Sequence, residues 1–249
     1  MFSSSVTQTQ LSLITYRIAT ASENMAIDEQ MLANAYQDAT AYLRFYGWAE
    51  NAFTFGYSQS WESINQEANI PTTEIPLKNR IRRITGGGLV DHRHGITYAL
   101  AIPRNHAAAT GNATHFYQQL HQALQNTLGA FQLKTELQSC PCETADSAPH
   151  RIHAQCFKQA EPYDLINPQS HQKIAGAALR RNRSGLLVQG SLSKNHLPEI
   201  DLDSFAQHFQ KQLVETFDLR CTSQPFRPSL SPSDGQRQRY ASSKWNTKR

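Results

Sequence analysis

The sequence lacks the features that mark secreted and membrane proteins. It has only four cysteines in 249 residues, too few for a disulfide framework in a chain long enough to bury a large core. No apolar run reaches the roughly 20 residues that cross a bilayer. The first ten residues contain no basic region followed by an apolar stretch, so we expect no signal peptide. These absences predict a cytoplasmic protein with reduced thiols and no membrane contact.

Strong charge is also missing. Charged residues make up 18% of the chain and the formal net charge is only +4. A nucleic-acid binder usually clusters lysine and arginine on one face, so we expect no nucleic-acid partner. The mild positive charge favours encounter with an acidic protein instead. The hydrophobic share of 39% and the aromatic share of 9% are typical of an ordinary globular protein.

Hydrophobic periodicity predicts three main helices, over residues 23–36, 114–131 and 204–217. The last two have apolar stripes at helical spacing, which are Phe116, Leu120, Leu124 and Leu128 in one and Phe205, Phe209, Leu213 and Phe217 in the other. The pattern also predicts strands at 11–19, 41–48, 53–55, 163–166, 173–180 and 186–192. Since helices and strands do not alternate strictly, we expect an α+β fold, with a mixed, largely antiparallel sheet flanked by helices.

Two further expectations concern the middle and the ends of the chain. Residues 81–103 are predicted to form a hairpin, in which a basic strand, a triple-glycine turn and an apolar strand over 96–102 follow one another. Residues 1–10 and about 222–238 are expected to be poorly ordered. From Cys221 onward the polar, proline-rich chain should pack poorly, with Tyr240 and Trp245 as possible anchors.

Three consecutive glycines, Gly86 to Gly88, form the most unusual local feature. Without Cβ atoms the backbone can adopt positive φ and a ligand can approach it closely. Arg82 and Arg83 precede the glycines and could pair with a carboxylate or a phosphate. The spacing matches neither the dinucleotide fingerprint nor the Walker phosphate loop. A tight turn with solvated arginines explains the same residues, so both interpretations stay open.

Cys156 is the candidate nucleophile among the cysteines. A reactive thiol needs a nearby cation or a helix N-terminus to lower its pKa. Lys173 is a candidate cation, and the small residues that follow it would let its strand pass close to a ligand. The alternatives are a small buried cysteine and a solvated lysine at the end of a strand.

Zinc binding is an alternative role for this region. Cys140, Cys142, His150, His153 and Cys156 offer soft ligands within a short stretch. Structural zinc sites prefer cysteine pairs separated by two to four residues, whereas only Pro141 separates Cys140 from Cys142. We therefore predict no metal site, and a metal assay on the purified protein decides the alternative.

Taken together, the motifs resemble the lipoate–protein ligase and octanoyltransferase family, which is similar in fold to the catalytic domain of biotin–protein ligases. The stretch 82–92, RRITGGGLVDH, resembles the family signature. Further matching motifs occur in the family's order: 24–29 (NMAIDE), 44–48 (RFYGW), 156–157 (CF), 163–165 (YDL), 173–176 (KIAG), 189–191 (QGS) and 240–246 (YASSKWN). The resemblance covers residues 11–249 and implies a single catalytic domain over 1–249.

The resemblance implies transfer of an octanoyl or lipoyl group to a protein lysine. The donor would be the thioester of an acyl carrier protein, and the acceptor a lipoyl domain or the glycine-cleavage H protein. Cys156 matches the nucleophile of the cysteine-dependent octanoyltransferases, and Lys173 matches the family lysine that contacts the acyl carbonyl. No cofactor is implied. The resemblance also places substrate-binding roles on Arg82, Arg83, Thr85, Gly86, Gly87, Gly88, His92, Gly176 and Ala177.

Two alternatives remain within the same scaffold. An ATP-dependent lipoate–protein ligase would use ATP and magnesium, and would form an acyl-adenylate. A non-catalytic protein would only bind an acyl group or a partner. The sequence departs from the family pattern at 176–179 (GAAL), where a small-polar ending is usual, so a polar contact to the ligand is absent there.

Overall fold

In the computed structural model of the chain, residues 8–139, 160–222 and 230–248 are described. The helices are α1 Ala21–Asp38, α2 Trp61–Ala68, α3 Ala107–Thr110, α4 Ala113–Ala130, α5 Leu202–Phe217, α6 Asp234–Ala241 and α7 Ser243–Asn246. The strands are β1 Gln10–Ala19, β2 Ala41–Trp48, β3 Phe53–Phe55, β4 Arg80–Arg82, β5 Val90–Asp91, β6 Gly95–Pro103, β7 Glu136–Leu137, β8 Leu165–Ile166, β9 Lys173–Asn182, β10 Gly185–Ser193 and β11 Arg220–Cys221. Of the helices in these ranges, none combines the length and apolarity that crossing a bilayer requires.

Among the described residues, the main sheet has eight strands in the order β11-β1-β2-β6-β10-β9-β8-β7. Strands β11, β1 and β2 run parallel to one another, and every other neighbouring pair is antiparallel. Helices α4 and α5 pack on one face of this sheet and α1 packs on the other. The predicted mixed, largely antiparallel sheet flanked by helices is confirmed.

The stripes predicted for α4 and α5 are confirmed as the helix faces that enter the core. All eight residues of the two stripes are buried in one hydrophobic cluster with the sheet. The helix starts are set by side chains that accept hydrogen bonds from free backbone N–H groups. Asn112 caps α4 by accepting from the His115 N–H at 2.9 Å, and Asp201 caps α5 by accepting from the Ser204 N–H at 3.0 Å.

The predicted hairpin over 81–103 is wrong. Strand β4 lies in a second, three-stranded sheet, where it pairs parallel with β3, while β5 pairs antiparallel with β3. Strand β6 belongs to the main sheet, between β2 and β10. The glycines between β4 and β5 do not make a tight turn. The Arg83 guanidinium closes a wider loop by donating to the carbonyls of Gly86 at 2.8 Å and Gly88 at 2.9 Å.

The expected poor packing from Cys221 onward is wrong for residues 230–248. Helix α6 begins within the segment 222–238 that was expected to be poorly ordered, and its first turn has a capping box between Ser233 and Gln236. Tyr240 is buried, and its ring meets Trp245 edge-on at 5.8 Å. The two anchors expected from the sequence are therefore confirmed, and they hold this segment against α1.

Candidate active site

A cavity of about 460 Å³, counting its open mouth, lies between α1, the small sheet and strands β9 and β10. Its lining residues are Met25, Tyr46, Thr54, Arg83, Val90, His92, Thr97, Lys173, Gly176, Ala177, Ala178, Gln189, Gly190 and Ser191.

Five of the eleven site residues predicted from the sequence line this cavity, and Gly86, Gly87 and Gly88 do not. Those that line it are Arg83, His92, Lys173, Gly176 and Ala177. Thr85 lies just behind the wall, where its hydroxyl donates to the side chain of Gln189 at 2.7 Å. Cys156, Cys140, Cys142, His150 and His153 lie outside the described residues.

One wall of the cavity is a chain of hydrogen bonds that starts at Arg83. Its guanidinium donates to the Thr54 hydroxyl at 2.9 Å, and that hydroxyl lies 2.8 Å from Nε2 of His92. The Thr54 hydroxyl accepts from Arg83 and still has its proton and a second lone pair for the contact with Nε2 of His92. The other ring nitrogen, Nδ1, lies 3.3 Å from the Thr97 hydroxyl.

His92 is neutral in this wall. Its imidazole is buried and stacks on the indole of Trp48, with ring centroids 3.8 Å apart. Burial holds the pKa of His92 well below its usual value, and the neighbouring Arg83 cation lowers that pKa further. This ring therefore supplies shape to the cavity wall, with both nitrogens already facing threonine hydroxyls.

Behind the cavity lining, Asp28 of α1 contacts two of the residues that line it, Tyr46 and Gln189. Its carboxylate pairs with Arg44 at 3.2 Å and accepts from the Tyr46 hydroxyl at 2.9 Å and from the Gln189 amide at 2.7 Å. Burial raises the pKa of Asp28, an effect that Arg44 partly offsets. Gln189 thus connects the Asp28 cluster to Thr85 and the glycine loop.

Lys173, at the start of β9, also lines the cavity and folds back across its own strand. Its ammonium lies 2.7 Å from Oδ2 of Asp164, and both side chains are buried. A Cβ on Gly176 would lie 2.5 Å from Cε and 2.7 Å from Nζ of Lys173. Glycine is therefore required at 176 for the ammonium to occupy this position.

The glycine loop is packed tightly against the small sheet. Within it, Gly87 has a φ of 82°, a value that glycine adopts without strain. A Cβ on Gly56, which follows β3, would lie 1.9 Å from the Gly87 carbonyl oxygen. The two backbones are thus in contact, and the loop is shaped by Gly56 and Arg83 together.

The structure does not bring Arg82 into the cavity. Its buried guanidinium donates to the carbonyls of Tyr57 at 2.7 Å and Gln59 at 2.6 Å. It also donates to the carbonyls of three C-terminal residues, which are Trp245, Asn246 and Lys248. Five carbonyl acceptors satisfy the guanidinium completely, so Arg82 links the C-terminal segment to β4.

Beneath Lys173 lies His121 of α4, whose titration gives a testable pH dependence. Its Nδ1–H donates to the Tyr117 carbonyl at 3.1 Å, while Nε2 has no hydrogen-bond partner among the described residues. Burial lowers the pKa of His121 from 6.5 to about 4. Between these values the unfolded chain binds a proton that the folded chain does not, so stability is lost as pH falls.

We therefore expect the free energy of unfolding to fall as the pH drops from 6.5 towards 4. Replacing His121 by glutamine should make this slope shallower by up to about 1.4 kcal/mol per pH unit. Urea unfolding at several pH values measures it. His115→Gln, which changes an exposed histidine of the same helix, should keep the original slope. Equal slopes for His121→Gln and wild type would contradict the assignment of this pH dependence to His121.

Several residues of the site were not assigned roles from the sequence. Met25, Asp28, Tyr46 and Gln189 lie within motifs that resemble the family, but the motifs alone do not show which side chains meet. The partnership of Asp164 with Lys173 had a signal in the YDL motif at 163–165. Tyr117 had none, because it lies among polar residues beside the apolar stripe of α4.

The fold is that of lipoate–protein ligases. A solved lipoate-protein ligase A bound with ATP matches with a TM-score of 0.65 at 15% identity, over 96% of this chain and 98% of the other. A bi-partite lipoate protein ligase from Thermoplasma acidophilum, studied with its E2 lipoyl domain, matches with a TM-score of 0.64 at 15% identity, over 96% of both chains.

The relatives found by sequence similarity are named octanoyltransferases. Octanoyltransferase LipM from Exiguobacterium sp. is 30% identical over 85% of this chain and 76% of its own length. Octanoyltransferase LipM from Symbiobacterium thermophilum is 29% identical over 68% of this chain and 60% of its own length. The family model described as lipoyl protein ligase A/B catalytic domain matches residues 20–222. The chain belongs to this family of enzymes.

Proposed function

We propose that this enzyme is an octanoyltransferase of protein lipoylation, which moves an octanoyl or lipoyl group from an acyl carrier protein thioester to a protein lysine through an acylated Cys156. The observation that supports this most is the buried, ion-paired Lys173 in the lining of the cavity. The names of the relatives point to the same activity.

The cavity walls suit a hydrocarbon chain. The polar groups of Arg83, Thr54 and His92 are engaged with one another, so they present little unsatisfied polarity to a ligand. Opposite them, strands β9 and β10 contribute the small residues Gly176 to Ala178, Gly190 and Ser191 beside Lys173 and Gln189. We propose that the acyl chain lies along these small residues.

In the first step the Cys156 thiolate attacks the thioester carbonyl carbon. The new carbon–sulfur bond forms as the bond to the carrier sulfur breaks, and the carrier leaves as a thiol after taking up a proton. Lys173 donates to the developing oxyanion and favours the thiolate by its charge. Arg83, Thr85, His92 and the glycine loop shape the acyl site around this chemistry.

In the second step the neutral ε-amine of the acceptor lysine attacks the acyl-enzyme. The amide bond forms as the bond to Cys156 breaks, and the proton lost by the amine neutralises the departing thiolate. A thioester already carries the energy needed for both steps, so we propose that no ATP, metal or other cofactor is required. A reduced thiol is essential, in keeping with the cytoplasm as the working compartment.

The acceptor is proposed to be the lysine of a lipoyl domain or of the glycine-cleavage H protein. One structural neighbour is a ligase studied with its E2 lipoyl domain. An ATP-dependent ligase reaction is the second candidate, because another neighbour was solved with ATP. Release of pyrophosphate from lipoate, ATP and magnesium, without thioester transfer, would favour that candidate. Tight acyl binding with neither reaction would favour a non-catalytic protein.

The test is intact-mass analysis after mixing the protein with octanoyl–acyl carrier protein alone. Wild type should gain about 126 Da, the mass of one octanoyl group bound through sulfur. Cys156→Ala should gain nothing, and Cys156→Ser should lose transfer activity. Cys221→Ala, which removes an exposed free cysteine, is the matched control and should keep the adduct. An unchanged adduct on Cys156→Ala would contradict the proposed nucleophile.

A further inference from the structure

Lys173 is held from behind by a tyrosine that does not line the cavity. Tyr117 extends from α4 beneath β9, and its hydroxyl accepts from the Ala177 backbone N–H at 3.0 Å. The same hydroxyl lies 2.5 Å from Oδ1 of Asp164. Since Asp164 is an acceptor when ionised, the single proton of the hydroxyl is directed to the carboxylate.

The carboxylate of Asp164 is thereby fixed on both oxygens. Oδ1 accepts from Tyr117, while Oδ2 accepts from the Glu161 N–H at 2.7 Å and from the ammonium of Lys173 at 2.7 Å. Tyr117 also binds the strand that carries Lys173, four residues further along. The ammonium, the carboxylate and the strand are therefore held in one fixed arrangement by a single phenol.

We infer that Tyr117 and Asp164 are positioning residues that keep Lys173 available to the reacting carbonyl. This inference rests on the proposed role of Lys173. A charge-assisted hydrogen bond from Tyr117 takes up part of the negative charge of Asp164. Without it, the carboxylate attracts the ammonium more strongly, and Lys173 donates less well to any other acceptor. Tyr117 thus sets how firmly Lys173 is held.

The charged pair Asp164 and Lys173 has neutral titratable neighbours. Tyr98 of β6 and His121 of α4 face it from the neighbouring elements, and both are buried. Burial raises the pKa of Tyr98 and, together with the Asp164 charge, raises that of Tyr117 far above its usual value. Burial also lowers the pKa of His121 to about 4. Between pH 5 and 9 these three neighbours are therefore neutral.

Competitive acetylation of Lys173 across a pH series tests the inference directly. In Tyr117→Phe the labelling profile of Lys173 should move to higher pH. Without the hydrogen bond from Tyr117, the Asp164 carboxylate favours the protonated form of Lys173 more strongly. The rate of Cys156 acylation should fall about tenfold, the equivalent of 1.4 kcal/mol from one charge-assisted hydrogen bond. Placing 3-fluorotyrosine at 117 keeps the shape and strengthens the donor, so the labelling profile should move to lower pH.

Tyr98→Phe is the matched control, since its hydroxyl is buried in the same cluster without a hydrogen-bond partner among the described residues. Its Lys173 profile and acylation rate should match wild type. If the pH profile of Lys173 acetylation is unchanged both in Tyr117→Phe and in the protein with 3-fluorotyrosine at 117, the inference is overturned. The labelling does not depend on Cys156, so absence of the octanoyl adduct in wild type would overturn only the proposed function.

Discussion

Replacing Lys173 by methionine is expected to slow acyl transfer about 100- to 1,000-fold, the usual effect of removing one donor to an oxyanion. Methionine keeps the length and apolar volume of the stem but removes the charge that orients the carbonyl and favours the thiolate. The initial rate of octanoyl transfer from the carrier thioester to a lipoyl domain measures this loss. Lys211→Met, which changes an exposed lysine of α5 outside the cavity lining, should leave the rate unchanged.

The same substitution should also destabilise the fold, and a second variant separates the two effects. Lys173→Met leaves the Asp164 carboxylate buried without its cation, which should cost about 3–5 kcal/mol in the free energy of unfolding. Adding Asp164→Asn removes the buried negative charge and should restore most of that stability. Transfer activity should remain as low as in the single variant. Recovery of activity together with stability would show that Lys173 is only structural.

Helices and strands were predictable wherever a local pattern determines them. The stripes of α4 and α5 follow from helical spacing of phenylalanine and leucine, and all of these residues are buried. The capping box of Ser233 and Gln236 was also a readable signal in the C-terminal segment, which was nevertheless expected to pack poorly. A polar composition alone is therefore weak grounds for expecting poor order, because one buried tyrosine can anchor a polar helix.

Pairing across the chain was not predictable in the same way. Strand β4 contains two arginines, and a basic strand suggests an exposed hairpin, yet both Arg80 and Arg82 are buried. The Arg82 guanidinium is satisfied by carbonyls distant in sequence, and that of Arg80 by the carbonyls of Ile70 and Ile75 and the side chain of Asn65. No local pattern reveals these contacts. The YDL motif marked Asp164, but it did not show the contact with Lys173, which depends on the missing side chain of Gly176. The motifs predicted which residues matter, and the fold decides which of them meet.

Arg82→Met is expected to lower the free energy of unfolding by about 4 kcal/mol or more, since several hydrogen bonds to a charged group are lost at once. The carbonyls of Tyr57 and Gln59 and those of the C-terminal segment would lose their shared donor. Arg82→Lys should lose about 2 kcal/mol, because an ammonium reaches fewer of these carbonyls. Urea unfolding of both variants, with proteolysis to follow release of the C-terminal segment, measures the effect.

Arg239→Met is the matched control, because Arg239 lies within the C-terminal segment, on α6, with its guanidinium 5.5 Å from the Trp245 ring centroid. Its ion pair with Glu29 is partly exposed, so its loss should cost less than about 1 kcal/mol. Since Arg82 lies outside the cavity lining, Arg82→Lys should leave the KM for the octanoyl thioester unchanged at a temperature where the protein stays folded. A raised KM with unchanged stability would instead return Arg82 to the substrate-binding role that the sequence motif implies.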